Sequence, residues 1–492
     1  MNIFRAQIEK SKTTLTKRII YIILSFFLLF DLGFSFLQHM GQPLDGDLAW
    51  NIVPSNDVKP ILKNPLGTVV VFRNQSYPNP NRFFCHWTIQ NYFKKIPLLL
   101  QKIVTPINSI YFSCAIFKIF VQIFLIVLLS IAITGSCKWY KPDFIIAAIL
   151  VTPLFQTNGY VRYMGIIDPS ISYTFFYAFP CALLIFYLMP FILQNFHEKK
   201  TQTKVLIKIL WIPFAFVICL SGPLNPGIIL IFSILIFVNK ILKESPRFKK
   251  SNIIRRIIST IRIIPQNYWF YLIPVSILSI YSLYIGKFNS NNINKSLIEL
   301  FSRIPKGIYF QLTQKLGFPV LFMILTLNVI IIKRNFRTQE GRKILTVFKW
   351  FGIFTLLYIL LLPFGGFRSY RPNNLRYDTI MPVTLGLIFF FGSTTLYIIK
   401  SMTTRHKMWY ISIIITVIFI YTNSDKAEFD KNNCERIALE KISSSKDTII
   451  QIPGDCTVLS WNTIEDPKNS ELNAQLLKIW GITKEKKLYY NY

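Results

Sequence analysis

Two carboxylates flank a glycine at Asp45-Gly46-Asp47. A loop with no Cβ at its centre turns sharply, so both side chains can converge on one metal ion, such as Mg2+ or Mn2+, or on one hydroxyl. The plainer use of the pattern is a helix cap or a solvated turn. Its surroundings add chemistry: Tyr77-Pro78-Asn79-Pro80-Asn81-Arg82 and Cys85-His86-Trp87 follow in the same segment, bringing a cation and an imidazole. A single His among aromatics serves first as a hydrogen-bonding residue and second as an acid or base.

A second cluster lies far along the chain, from Gly365 to Asp378, where Arg368, Arg371 and Arg376 fall within nine residues and Tyr377 and Asp378 follow. The planar guanidinium fork grips phosphate oxygens at two points, so this run suits a phosphorylated group at a membrane surface. An anchor for lipid headgroups is the alternative. The stretch from Asn158 to Pro169 offers one more cation, Arg162, and one more carboxylate, Asp168, which is well placed to cap the helix expected after it. Cys85, Cys114, Cys137, Cys181, Cys219, Cys434 and Cys456 form no CxxC pair and no zinc-ligand spacing with His.

The elements that must hold these residues are set by a bilayer. Of the 492 residues 52% are hydrophobic and only 16% charged, with a mean hydropathy of +0.41, a balance that a water-soluble core of this length does not show. About 20 apolar residues cross a bilayer as a helix. Eleven such segments are expected, at 19–39, 107–136, 143–156, 171–196, 206–221, 227–242, 268–286, 316–333, 346–364, 379–399 and 408–423. The first follows a basic start but is too long for a signal-peptide core and lacks a cleavage site, so it is read as a retained helix. The formal charge of +32 would suit nucleic acid in a soluble protein. Here Lys and Arg sit between the apolar runs, 24 of them in 77 residues on one side against 16 in 129 on the other. That asymmetry speaks for topology and against nucleic acid, and puts the amino terminus in the cytoplasm and the acidic motif outside.

The chain thus reads as a polytopic domain over 1–423, with a large first exterior loop at 40–106, and a small exterior α/β domain over 424–492. The tail holds an expected strand at Thr448–Ile452, a Pro453-Gly454 turn and a helix at Glu471–Trp480. An oxidising exterior would let Cys434 and Cys456 pair. Within the bilayer, Asp31 and Lys118 fall at similar depths on neighbouring segments and are expected to form an ion pair.

A first helix followed by a long exterior loop with an acidic DxD-like motif, many spans, Arg-bearing exterior loops and an exterior carboxy-terminal domain resembles the GT-C superfamily of polyprenyl-phosphate-sugar-dependent glycosyltransferases. The resemblance covers the whole architecture, with Asp45-Gly46-Asp47 as its only local motif. It implies an all-α, GT-C-like membrane fold in which Asp47 acts as catalytic carboxylate and Asp45 as its metal-binding or hydrogen-bonding partner. It also implies that Arg368, Arg371 and Arg376 bind the donor phosphate. Arg82, His86, Arg162, Asp168, Tyr377 and Asp378 are further candidates for holding substrate. The expected reaction moves a sugar from a polyprenyl-phosphate donor to a glycan, lipid or protein acceptor on the exterior face of a bacterial cytoplasmic (inner) membrane. A transporter or flippase for a lipid-linked or anionic substrate would instead concentrate ionisable residues at the midplane, where Asp31 and Lys118 are the clear exceptions to an apolar pattern. A noncatalytic assembly protein working through its tail is the third reading.

Overall fold

A computed structural model describes the chain except for residues 1, 54, 156–164, 200–204, 245–258, 260, 263, 314–315, 337, 369–370, 372, 425–427 and 492. Each of the eleven apolar segments is a helix. In chain order the helices are α1 (Asn2–Met40), α2 (Leu48–Ile52), α3 (Val58–Lys63), α4 (Thr68–Arg73), α5 (Phe83–Leu100), α6 (Pro106–Thr134), α7 (Pro142–Val151), α8 (Ile171–His197), α9 (Val205–Cys219) and α10 (Asn225–Glu244). They continue as α11 (Gln266–Gly286), α12 (Leu297–Thr313), α13 (Gly317–Asn335), α14 (Gln339–Leu361), α15 (Met381–Ser401), α16 (Thr404–Ser424), α17 (Asn433–Ser444) and α18 (Glu471–Ile479). Among the described residues, eight helices are long and apolar enough to cross a membrane, and Pro142–Phe155 and Ile209–Cys219 are shorter apolar helices. The protein is a mostly helical, multi-pass membrane protein.

Local chemistry sets the ends of these helices. Thr105 accepts from the Asn108 amide at the start of α6 and Pro106 supplies a preset φ at the first position, while Gly135 at φ +66° closes the helix by donating to Ile131. At the entry of α8 the cap comes from elsewhere in the chain. Asp45 accepts from the Ser172 amide, so the acidic loop after α1 is the N-terminal cap of a helix more than a hundred residues on.

The first long connection between apolar helices, 40–106, is not an open loop. It folds into α2 to α5, and α5 buries Phe83, Cys85, His86, Ile89, Phe93 and Pro97 on one face. The segment after α11 likewise contains α12. Inside the bundle, Phe117 of α6 and Phe175 of α8 stack with centroids 3.6 Å apart. Asn328 of α13 donates to Thr394 and Thr395 of α15 at 2.9 and 3.2 Å and accepts from Tyr410 of α16 at 2.7 Å, a buried polar knot joining three helices. The expected Asp31–Lys118 pair is not formed. Lys118 donates instead to the Pro169 carbonyl, with Asp168 and Asp45 as its acidic neighbours, because the chain before α8 dips close enough to supply a nearer acceptor.

The tail folds as α17, β1 (Ile449–Ile452), α18 and β2 (Leu488–Asn491), with the two strands parallel and Ile449 opposite Leu488. Cys434 and Cys456 are joined in a disulfide. This unit is seated on the loop between α1 and α5. The Trp480 indole donates to the Phe93 carbonyl at 2.9 Å, and Asn432 donates from its backbone to Gly41 and from its side chain to Met40. Glu435, 3% exposed, accepts from the Leu44 amide (2.9 Å), the Tyr111 hydroxyl (2.8 Å) and the Leu459 amide (3.4 Å), so one carboxyl ties together the tail, the acidic loop and α6.

Candidate functional site

Five parts of the chain meet where the tail caps the bundle: residues 45–47, 77–86 and 168–177, the described part of the arginine run (Arg368, Arg371 and 373–378) and the turn around Trp461. The two aspartates of the first segment have different surroundings. Asp45 is buried, and its carboxylate accepts four hydrogen bonds, from the Asp47 amide (3.1 Å), the Ser170 hydroxyl (2.9 Å), the Ser172 amide (2.9 Å) and the Ser172 hydroxyl (2.8 Å). Asp47 is half-buried and accepts one side-chain hydrogen bond, from the Trp461 indole at 3.2 Å to Oδ1, which leaves Oδ2 open among the described residues. Burial and the neighbouring Asp45 charge push the Asp47 carboxyl above its ordinary range, and the Trp461 N–H, Arg371 and Arg368 pull partly back. Gly46 between them is required by space. A Cβ there would stand 2.6 Å from the Trp461 ring and 2.7 Å from its backbone nitrogen.

Arg368 and Arg371 lie within electrostatic range of this carboxylate, and Arg82 from the start of α5 lies within range of both. Arg368 and Arg371 have neutral hydrogen-bond partners, and Arg371 has an acidic neighbour as well. Arg368 donates to Asn79 Oδ1 at 2.8 Å, and Arg371 donates to the Tyr177 and Tyr173 hydroxyls at 2.9 and 3.2 Å and lies over the Tyr173 ring. The buried Arg82 Nε has no hydrogen-bond partner among the described residues. Burial, with Arg368 and Arg371 close by, lowers the Arg82 guanidinium to about 10, which leaves it charged at neutral pH. Three cations, of which Arg371 is also paired with Asp378, gather here as a candidate site for an anion.

Arg376 is placed differently. It forms a two-point pair with Asp378, at 2.9 and 2.6 Å, and Asp378 also accepts from the Thr379 amide and lies 3.7 Å from Arg371. Burial alone would raise the Asp378 carboxyl, but Arg376 and Arg371 bring it below its usual range. Arg376 is therefore a neutralised brace behind Arg371. Tyr377 hydrogen-bonds Asp168, which also accepts from the Ser170 amide at 2.7 Å; burial raises Asp168 to about 6. His86 is fully buried between Trp50 and Phe176, with Nε2 3.5 Å from the Asn79 amide and Nδ1 unpartnered among the described residues. Burial, with Arg82 and Arg368 adding repulsion, lowers it to about 3, so it is neutral at any working pH. Arg162 lies outside the described residues.

The donor set does not suit a divalent ion. All four Asp45 contacts are to N–H or O–H donors that a metal would have to displace, and among the described residues no group of three or more His, Cys, Asp and Glu side chains is placed to hold a metal. No family model, curated protein or solved structure matches the chain.

Asn79, Tyr173, Tyr177, Ser170, Ser172 and Trp461 belong to the site but were not among the sequence candidates. Asn79 had a signal, because it stands between two prolines and beside Arg82. The tyrosines sit in an apolar run that reads as helix interior, and Trp461 lies in a tail with no motif.

Proposed function

We propose that the chain is a membrane glycosyltransferase of GT-C type, moving a sugar from a polyprenyl-phosphate donor to an acceptor hydroxyl at the exterior face. The observation that carries this reading is one carboxylate with a free oxygen, Asp47, facing the guanidiniums of Arg368 and Arg371, with Arg82 beside them. In the proposed step Asp47 Oδ2 takes the proton of the acceptor hydroxyl as its oxygen bonds to the anomeric carbon. The bond from that carbon to the lipid phosphate breaks, and the electron pair leaves with the phosphate oxygen. The arginines stabilise that charge as it develops, the task for which preorganised cations are worth most. Asp45 positions the loop, and neither step calls on a metal.

The topology proposed for this reading is eleven spans, amino terminus inside and tail outside. Contacts across the exterior site support it by parity. Asp45 touches Ser172, so α6 and α7 together make an even number of crossings; Phe84 donates to Leu220, which asks the same of α8 and α9. Asn432 donates to Gly41, so α16 must return the tail to the face that α15 left. The basic-residue asymmetry and the tail disulfide suit the same orientation. The test is turnover by purified protein of a polyprenyl phosphate bearing a radiolabelled sugar. Appearance of free polyprenyl phosphate with labelled product supports a transferase; movement of the intact lipid across the bilayer without cleavage would point to a flippase.

A further inference from the structure

Resting on that reading, we infer that the acceptor is itself a carbohydrate and that Trp461 is the platform on which its ring lies. Trp461 is 54% exposed, unusual for an indole that also makes a specific hydrogen bond. Its edge is fixed by the donation to Asp47 Oδ1, which leaves the ring faces to neighbours and solvent. The Tyr173 ring lies 6.4 Å away at 34°, and beyond it Arg371.

The turn that presents Trp461 is built at a cost. Leu459, a buried branched residue two positions earlier, is held at φ +50°, a left-handed conformation that such residues rarely adopt. Its amide is held by Glu435 and the turn is anchored at Cys456 by the disulfide, so the tail over-determines this backbone. The absence of a side chain at Gly46 lets the indole approach the acidic loop. The outcome is a rigid aromatic plane hinged on the oxygen next to the free Asp47 Oδ2. A pyranose presents apolar C–H faces and a rim of hydroxyls, and such a ring laid on the indole would turn one rim hydroxyl toward Oδ2. An alkyl alcohol or a Ser or Thr hydroxyl has no matching face. The platform therefore selects a sugar and fixes which hydroxyl reacts.

The experiment is saturation-transfer NMR on the full-length protein in lipid nanodiscs, with cellobiose and chitobiose as probes and no donor present. Transfer to sugar ring protons is expected in the wild type, retained within about twofold in Trp461→Phe, which keeps an aromatic face, and reduced at least fivefold in Trp461→Leu. Hydrogen-exchange protection of α17 and α18, matched to the wild type, checks that both variants keep the tail folded. Absence of transfer in the wild type, or undiminished transfer in a folded Trp461→Leu, would overturn the platform. Because no donor is used, the result is separable from turnover: sugar binding without transfer sinks the transferase reading alone, and transfer without Trp461-dependent binding sinks this one alone.

Discussion

At the residue scale the two carboxylates of one short motif divide into a buried cap, Asp45, and a half-buried carboxylate with an open oxygen, Asp47. The motif was legible from its glycine spacing, but the division was not, because it is made by Ser170 and Ser172, far along the chain, and by Trp461, farther still. The arginine run was legible in the same partial way. Spacing marked Arg368, Arg371 and Arg376 as equals, whereas Asp378 neutralises Arg376 and Arg82 takes its place in the anion site. The first expected outcome concerns pH. A base must be ionised, and the Asp47 carboxyl is held above its ordinary range, so kcat/KM should fall as pH drops through a limb lying above the ordinary aspartate range, and Asp47→Asn should remove that limb. The second separates clamp from base. Arg371→Ala should raise the donor KM and lower kcat together, by about tenfold or more each, since the guanidinium meets the phosphate before and during departure. Arg376→Ala should cost less in donor binding, because its charge is already spent on Asp378.

Among the elements, the apolar helices were legible and the amphipathic ones were not. Long runs such as Pro106–Thr134 announce themselves by hydropathy. In α5, Gln90, Asn91, Lys94 and Lys95 interrupt the apolar positions and made the stretch read as loop, although its buried face follows helical spacing at Cys85, His86, Ile89 and Phe93. The tail's strand and helix appeared close to their expected positions, at Ile449–Ile452 and Glu471–Ile479. What sequence could not give was the seat of the tail on the acidic loop, in which the buried carboxyl of Glu435 acts beside Asn432, Trp461 and Trp480. Burial raises that group from an ordinary 4.5 to about 7 despite its three donors. The folded state therefore holds the proton more tightly than the unfolded chain does. This contribution to stability is full below about pH 4.5 and is lost as pH rises through about 7. Protection of α17 and of the turn around Trp461, with the intrinsic pH dependence of exchange divided out, should fall between about pH 4.5 and pH 7, and Glu435→Gln should flatten that dependence. A slope unchanged in the variant would assign it to another group.

The whole molecule is a membrane bundle whose tail folds back over the entrance to the acidic loop, so that first and last parts of the chain share one site. Eleven helical segments were read from sequence, and a helix lies at each; among the described residues eight helices are long and apolar enough to cross a membrane. A reporter fused after residue 492 should read exterior and one inserted at Lys138–Lys141 cytoplasmic; agreement of the two on one side would break the parity on which the site depends. The most direct measurement of the central claim compares wild type and Asp47→Asn, purified in nanodiscs, for both binding and turnover of the same polyprenyl-phosphate-linked sugar. The variant should bind the lipid within about threefold of wild type while transferring sugar about 10² times more slowly or worse, the usual scale for a lost general base. Equal transfer by the two proteins would contradict the account.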